Sequence, residues 1–245
     1  VTVRLGLATR LELARLLFIT DCAGGGDLAG LADAALAGGV DMVQLRDPSA
    51  SEDEVLEAVS TLRAAVHRDQ GLVANYGDVR LAAKANADVL QLSALGPDAA
   101  SAHAGLHRWA LVGRSCHSAE QVDAAVAEDG VGFFTVSPVF NTAGVGSGGL
   151  KLVSYAAKAA PPGDPASKPW FAVGGVNAEN LDQVLAAGAR RIGVTRAIAA
   201  RKNPQAAAEE LKERLRRAWN DDPAMAKVTF SAFTTAPRPT PPTRS

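Results

Sequence analysis

The sequence is poor in aromatic residues, which make up 5% of its 245 positions. Its core must therefore come mainly from aliphatic side chains and alanine. There are two cysteines, Cys22 and Cys116. Two thiols build neither a disulfide framework nor a metal cluster, and a reducing cytoplasm is the simplest compartment for them. Net charge is almost absent: 25 Lys+Arg against 26 Asp+Glu leave −1. That balance excludes the clustered basic excess of a nucleic-acid surface. No stretch approaches the roughly 20 apolar residues of a membrane span, so no membrane contact is expected. Near the start, Arg4, Arg10, Glu12 and Arg15 interrupt any apolar signal-peptide core. What remains is ordinary globular composition, with 47% hydrophobic and 21% charged residues. The length fits one large domain or two small ones, and α/β barrels commonly run to about 250 residues.

Short apolar runs alternate with helical patterns along most of the chain. The runs lie at 16–20, 42–45, 72–74, 89–92, 111–112, 133–136, 171–173 and 192–194. Their starts fall about 25 residues apart, the size of a βα unit. They are continuously apolar, as strands buried on both faces are. Amphipathic stretches such as 52–68, 119–128 and 181–187 lie between them. Alternating strands and helices imply a parallel sheet, and eight units imply closure into a (β/α)8 TIM barrel over residues 14–219. An open doubly wound sheet is the competitor. It would favour a G-x-G-x-x-G turn after the first strand, and Asp21-Cys22-Ala23-Gly24-Gly25-Gly26 lacks that spacing.

Two segments break the rhythm. Residues 141–149 hold four glycines after the sixth strand and are expected to form a mobile loop at the active-site face. Residues 161–169 hold four prolines before the seventh strand. Pro204 should open a last helix running to Trp219. Beyond it, 223–245 reads as a disordered Pro/Thr/Arg-rich tail without a role.

Barrel enzymes often bind phosphate between the loops after strands seven and eight. Here strand seven runs into Val173-Gly174-Gly175-Val176-Asn177, and strand eight into Gly193-Val194-Thr195-Arg196. Glycines let backbone amides approach an anion closely, and a short helix after Val194 and Thr195 could aim its amides at the same place. A plain tight turn is the alternative for the glycines. Asn177 reads as the N-cap of the following helix. Arg196 is either a phosphate clamp or a salt-bridge partner.

These residues carry a resemblance. The chain resembles the thiamine phosphate synthase/TenI family over about residues 14–219. The matching stretches are Leu17-Phe18-Ile19-Thr20-Asp21, Ala34-Ala35-Leu36-Ala37-Gly38-Gly39-Val40-Asp41, Val43-Gln44-Leu45-Arg46-Asp47, Gly113-Arg114-Ser115-Cys116-His117, Pro169-Trp170-Phe171-Ala172-Val173-Gly174-Gly175-Val176-Asn177 and Ala187-Gly188-Ala189-Arg190-Arg191-Ile192. Matched order and spacing across several strand ends make it more specific than any one motif. It implies a thiazole phosphate bound by Gly174, Gly175, Val194 and Thr195, and a homo-oligomer.

The family holds two chemistries. Its synthases join a pyrimidine pyrophosphate to a thiazole phosphate, using magnesium and cationic side chains on the departing pyrophosphate. The pattern implied for them is Q-L-R-x-K, an N-D pair after strand three, an Asp after strand four, and a T-P-T-K-like loop after strand six. This chain keeps Gln44, Arg46, Asn75 and Thr142. It has Pro48 for the Lys, Tyr76 for the first Asp and Gly96 for the second. One charge at about 4 Å and effective dielectric 20 is worth roughly 4 kcal/mol, and each 1.4 kcal/mol is about tenfold in rate. Losing three such charges should cost a synthase many orders of magnitude. Asp78, Asp47 or Asp98 could restore a metal site from a shifted position, although Asp78 also reads as a helix N-cap.

The TenI-like members are metal-free thiazole tautomerases. They need a phosphate grip and a general acid/base, with no metal or cofactor. Their G-R-S-x-H-S segment corresponds to Gly113–Ser118 here, which implies catalytic roles for His117 and Ser115. Imidazole titrates near neutrality and suits proton shuttling. The plain alternative is a loop histidine before a helix capped by Ser118 and Gln121. The expectation is therefore a tautomerase, with Gln44, Arg46, Asn75 and Thr142 lining the pocket and Arg46 on a substrate carboxylate. A synthase with displaced magnesium, or a non-catalytic binder of thiazole or thiamine phosphate, is the alternative. Elsewhere, His67 should face solvent or a helix end. His103 and His107 make a weak metal pair without carboxylates, and Cys116 reads as an inert buried thiol.

Overall fold

Eight parallel strands close on one another in the computed structural model, which describes residues 5–140 and 149–234. A helix α1 (Leu7–Leu13) precedes β1 (Leu16–Thr20). There follow α2 (Leu28–Ala37), β2 (Met42–Leu45), α3 (Glu52–Val66), β3 (Leu72–Tyr76), α4 (Val79–Lys84), β4 (Val89–Leu92), α5 (Ala99–Gly105) and β5 (Leu111–Cys116). The second half continues with α6 (Ala119–Ala127), β6 (Val131–Val136), α7 (Gly149–Ala159), β7 (Trp170–Val173), α8 (Leu181–Ala186) and β8 (Ile192–Val194). It ends in α9 (Arg196–Ala199), α10 (Pro204–Asn220) and α11 (Pro223–Thr234). Each strand pairs with its sequence neighbour, and β8 returns to β1 through Leu16↔Ile192 and Phe18↔Val194. This is the expected TIM barrel.

Period-two alternation divides the strand side chains into two sets. Leu17, Met42, Leu72, Val89, Phe133 and Phe171 fill the lumen as one apolar cluster, with Leu11 of α1 packed into it. Phe18, Val43, Val73, Phe134, Trp170 and Ile192 face the helices. Helix starts are set by side-chain caps on backbone N–H groups. Asp27, Asp78, Asp98, Ser118 and Asn203 serve in this way, and Ser51 with Glu54 forms a full capping box.

The ordered chain is longer than the span 14–219 expected from the sequence. At the far end, 223–234 form α11 and are not a structureless tail. Met225 and Val228 are buried with Trp219, whose Nε1–H donates to Thr229 Oγ1 at 3.2 Å. Apolar side chains at helical spacing sit inside a stretch whose Pro and Thr content masks them. Residues 235–245 lie outside the described chain, as do the glycine-rich residues 141–148.

Candidate active site at the strand C-terminal ends

Above the apolar lumen cluster lies a layer of neutral polar side chains. Gln44 stands beside Ile19 and Ala74, Gln91 beside Tyr76 and Gly113, and Ser115 beside Thr135. Partners in a parallel register point to the same face, so all these residues face the lumen. Gln44, Gln91, Ser115 and Thr135 are buried. The Gln91 amide donates to Ser115 Oγ at 3.1 Å and to Thr135 Oγ1 at 3.4 Å. Its own oxygen, on a residue only 1% exposed, has no partner. A buried acceptor left unpaired costs about 1–3 kcal/mol, which marks the spot as one completed by something else. Room for Gln91 exists because residue 113 is glycine: a Cβ there would stand 2.6 Å from Gln91 Oε1.

The register separates two neighbours that the sequence treats as one motif. Asn75 lies opposite Leu45 and Leu90, on the helix-facing side, while Tyr76 shares the lumen face with Gln91. The expectation that Asn75 lines the pocket is thus not met by its side chain, and its Nδ2 is buried without a partner. At the rim, Arg46 continues the pairing of β2 through its N–H to Thr20 O at 2.8 Å. Its guanidinium lies 4.5 Å from the Tyr76 ring centroid, a cation–π stack.

His117 directly follows β5 and is exposed. Its Nδ1 is 2.7 Å from Ser137 O. A carbonyl only accepts, so Nδ1 is the donor in this contact. The backbone N–H of His117 donates to Gln121 Oε1 at 2.7 Å, and Ser118 Oγ accepts from Gln121 N–H. The expected cap is present, and it pins the histidine's backbone. Cys116, between Ser115 and His117, faces the helices, and burial pushes its thiol up to about 12.

Across the mouth, Gly174 and Gly175 take φ values of +102° and +69°. A Cβ on Gly174 would stand 2.8 Å from Pro138 Cα, so glycine is needed for the loops after β6 and β7 to meet. Val139 N–H donates to Val173 O at 2.9 Å, and Phe140 N–H to Gly174 O at 3.0 Å. Val194 is buried among helix-facing residues, so only its backbone can reach a ligand. Thr195 precedes the short α9 and is exposed. Asn180, rather than the expected Asn177, stands at the N-cap of α8; Asn177 Oδ1 instead accepts from the Glu179 and Asn180 amides in the turn before it. Thr142 lies outside the described residues.

The carboxylates near the mouth hold backbone. Asp21 accepts from Gly24 N–H, and Asp47 from Cys22 N–H and from Ser49 N–H and Oγ. The Ser49 bonds, with the Cys22 amide, hold Asp47 below the usual carboxylate range. Asp78 accepts from Arg80 and Leu81 N–H, and Asp98 from Ser101 N–H and Oγ. In the loop after β4, the carbonyls of Ser93, Gly96 and Pro97 accept from Arg114, which pairs with Glu128 at 2.6 Å. Among the described residues, no group of three or more His, Cys, Asp or Glu side chains could hold a metal ion. The remaining histidines are structural. His67 stands at the C-terminal end of α3, one of its two expected places, and pairs with Asp88 at 3.0 Å; His103 meets Gly130 O, and His107 meets Ala87 O.

Comparison with known proteins adds three findings. The family model described as thiamine monophosphate synthase matches residues 16–198. A thiamine-phosphate synthase of Thermobifida fusca is 46% identical over 213 residues, covering 85% of this chain and 95% of that protein. One of Streptomyces avermitilis is 41% identical over 213 residues, with 85% and 97% covered. Among solved structures, a thiamine phosphate pyrophosphorylase from Pyrococcus furiosus superposes with a TM-score of 0.75 at 25% identity, covering 87% of this chain and 99% of that one.

Proposed function

The chain belongs to the thiamine monophosphate synthase family, and from that premise we propose that it joins an aminopyrimidine diphosphate to a thiazole phosphate, releasing pyrophosphate. The relatives' names support this coupling over the tautomerisation expected from the sequence. The observation that carries it is the neutral floor of the lumen. Gln91 offers an unpaired buried acceptor and Gln44 a second amide. An aminopyrimidine presents ring nitrogens and an N–H donor, which such amides match. The side chains of that floor, Gln44, Gln91, Ser115 and Thr135, carry no cation to hold a carboxylate.

In this reading the thiazole phosphate rests on the Gly174–Gly175 and Val194–Thr195 backbone. The thiazole nitrogen attacks the pyrimidine methylene carbon as the carbon–oxygen bond breaks, and pyrophosphate leaves with the electron pair. The amides of Gln44 and Gln91 orient the ring for that displacement. Synthases of this family pattern use magnesium, and the residues present do not fit it. Magnesium takes carboxylate oxygens in a strict octahedron. Here the lumen position at the end of β3 is Tyr76, and Asp78 and Asp98 serve as caps. No step is assigned to the metal.

A second reading, the thiazole tautomerase, is favoured by His117. With Nδ1 donating to Ser137 O, Nε2 is left to exchange a proton with a substrate, and Ser115 faces the lumen two residues earlier. Purified protein given both substrate pairs separates the two. Thiamine phosphate and pyrophosphate in equal amounts are expected. Isomerisation of a thiazole carboxylate phosphate, without coupling and lost in His117→Ala, would replace this reading with the second.

A further inference from the structure

At the rim of the lumen stands a cation without a counter-charge. Arg46 is exposed and forms no ion pair among the described residues, and its guanidinium carbon lies 4.5 Å from the Tyr76 ring centroid. Among the described residues its side-chain N–H groups have no hydrogen-bond partner, and such groups grip phosphate oxygens in pairs. On the segments after the first four strands, Asp21, Asp47, Asp78 and Asp98 each accept backbone N–H groups. The carbonyls after β4 already accept from Arg114. The segment 141–148, Asn-Thr-Ala-Gly-Val-Gly-Ser-Gly, contributes no carboxylate. Among the described residues no three His, Cys, Asp or Glu side chains come together as a divalent cation would need, whereas an anion meets an unpaired guanidinium held in place.

We propose that this barrel holds the diphosphate end of its substrate on Arg46, braced by Tyr76, without a divalent cation. That the anion is a diphosphate rests on the synthase reading; the cation-for-metal exchange rests on the side chains alone. The Tyr76 ring limits the directions the arginine can take, and a pre-oriented fork loses less entropy on binding than a free one.

Inorganic pyrophosphate is the probe, titrated calorimetrically into the full chain in EDTA and again in excess Mg²⁺. Affinities within about threefold of each other are expected. Arg46→Gln should lower both by about tenfold or more, as loss of a charge-assisted hydrogen bond does. Arg46 is exposed, and a thermal melt checks that the variant folds. Three results each overturn the inference: binding that weakens more than about tenfold in EDTA, binding indifferent to Arg46→Gln, or no binding in either buffer. A coupling assay alongside keeps the two proposals apart. Metal-independent pyrophosphate binding without coupling would leave the anion site standing and remove the synthase reading. Coupling that requires Mg²⁺ would do the reverse.

Discussion

Substituting Gly113 by alanine tests whether the apolar lumen cluster and the polar floor above it are one packed unit. The new Cβ would lie 2.3 Å from both Cε1 and Cζ of Phe133, and 2.6 Å from Gln91 Oε1. Ordinary carbon contacts are about 3.5–4.0 Å, so the Phe133 ring must retreat by more than about 1 Å. It has little room, being fully buried and edge-on to Phe171 at 6.0 Å and 84°. Overpacking of this kind costs about 1–3 kcal/mol, and the locked ring argues for the upper part of that range. Gly113 does not have a positive φ, so alanine fits its backbone and regains about 0.4–1 kcal/mol by restricting the unfolded chain. A net loss of about 1–2.5 kcal/mol follows, or about 2–10 °C in Tm at this chain length. Urea unfolding measures it. The double variant with Phe133→Leu should recover about 1 kcal/mol relative to additivity, because the clash is with that ring. A loss under about 0.5 kcal/mol, or a cycle that closes additively, would refute the packing argument. Affinity for the pyrimidine substrate should fall as well, since Gln91 is displaced with the ring.

Three other perturbations reach separate parts of the molecule. Gly174→Ala forces a side chain onto φ +102° and to within 2.8 Å of Pro138 Cα; affinity for thiazole phosphate, measured by titration, should drop about tenfold or more while the chain still folds. Burial pushes Cys116 up to about 12, and burial with Asp47 pushes Cys22 up to about 11. At pH 8 their thiolate fractions are thus about 10⁻⁴ and 10⁻³, so a disulfide reagent should label neither thiol rapidly until urea is added; fast labelling of the native chain would contradict this. Truncation after Asp222 removes buried Met225 and Val228 and uncovers Trp219, which should cost about 3–6 kcal/mol in urea unfolding. An unchanged midpoint would mean that α11 does not stabilise the barrel.

The eight strands were legible because barrel strands are buried on both faces and read as unbroken apolar runs. Their C-terminal ends were not. Hydrophobicity stops at Ala74 and Val112, yet pairing continues to Tyr76 and Cys116. The polar residues on those extensions form part of the site floor and rim, so the pattern fails where the site begins. The outer helices escaped for a different reason. α1 has one fully buried residue, Leu11, and α11 buries Met225, Val228 and Ala232. Each helix needs only a narrow apolar stripe because each packs on a surface that already exists, and a narrow stripe hardly registers in composition.

The site was legible as a list of strand ends and illegible as a surface. Gln44, Arg46, Ser115, His117, Gly174 and Gly175 sit on the loops and strand ends expected of them, because a barrel gathers strand termini on one rim. Facing is another matter, since a one-residue step reverses it. Asn75 and Tyr76 are adjacent, and only the register against Leu90 and Gln91 shows which of them looks into the lumen. That distinction bears on the chemistry. Had the lumen position held a carboxylate, it could have paired with the Arg46 guanidinium, an attraction worth roughly 4 kcal/mol at about 4 Å and an effective dielectric of 20. The guanidinium faces instead an aromatic ring worth about 0.5–1 kcal/mol when exposed. The weaker partner holds the guanidinium in place yet leaves its charge uncompensated. An incoming phosphate therefore gains nearly the whole attraction without first displacing a carboxylate or recruiting a metal to bridge one. A chain with 25 basic and 26 acidic residues can bind anions strongly at one point only if the acids near that point are engaged elsewhere, and at this rim they hold the backbone.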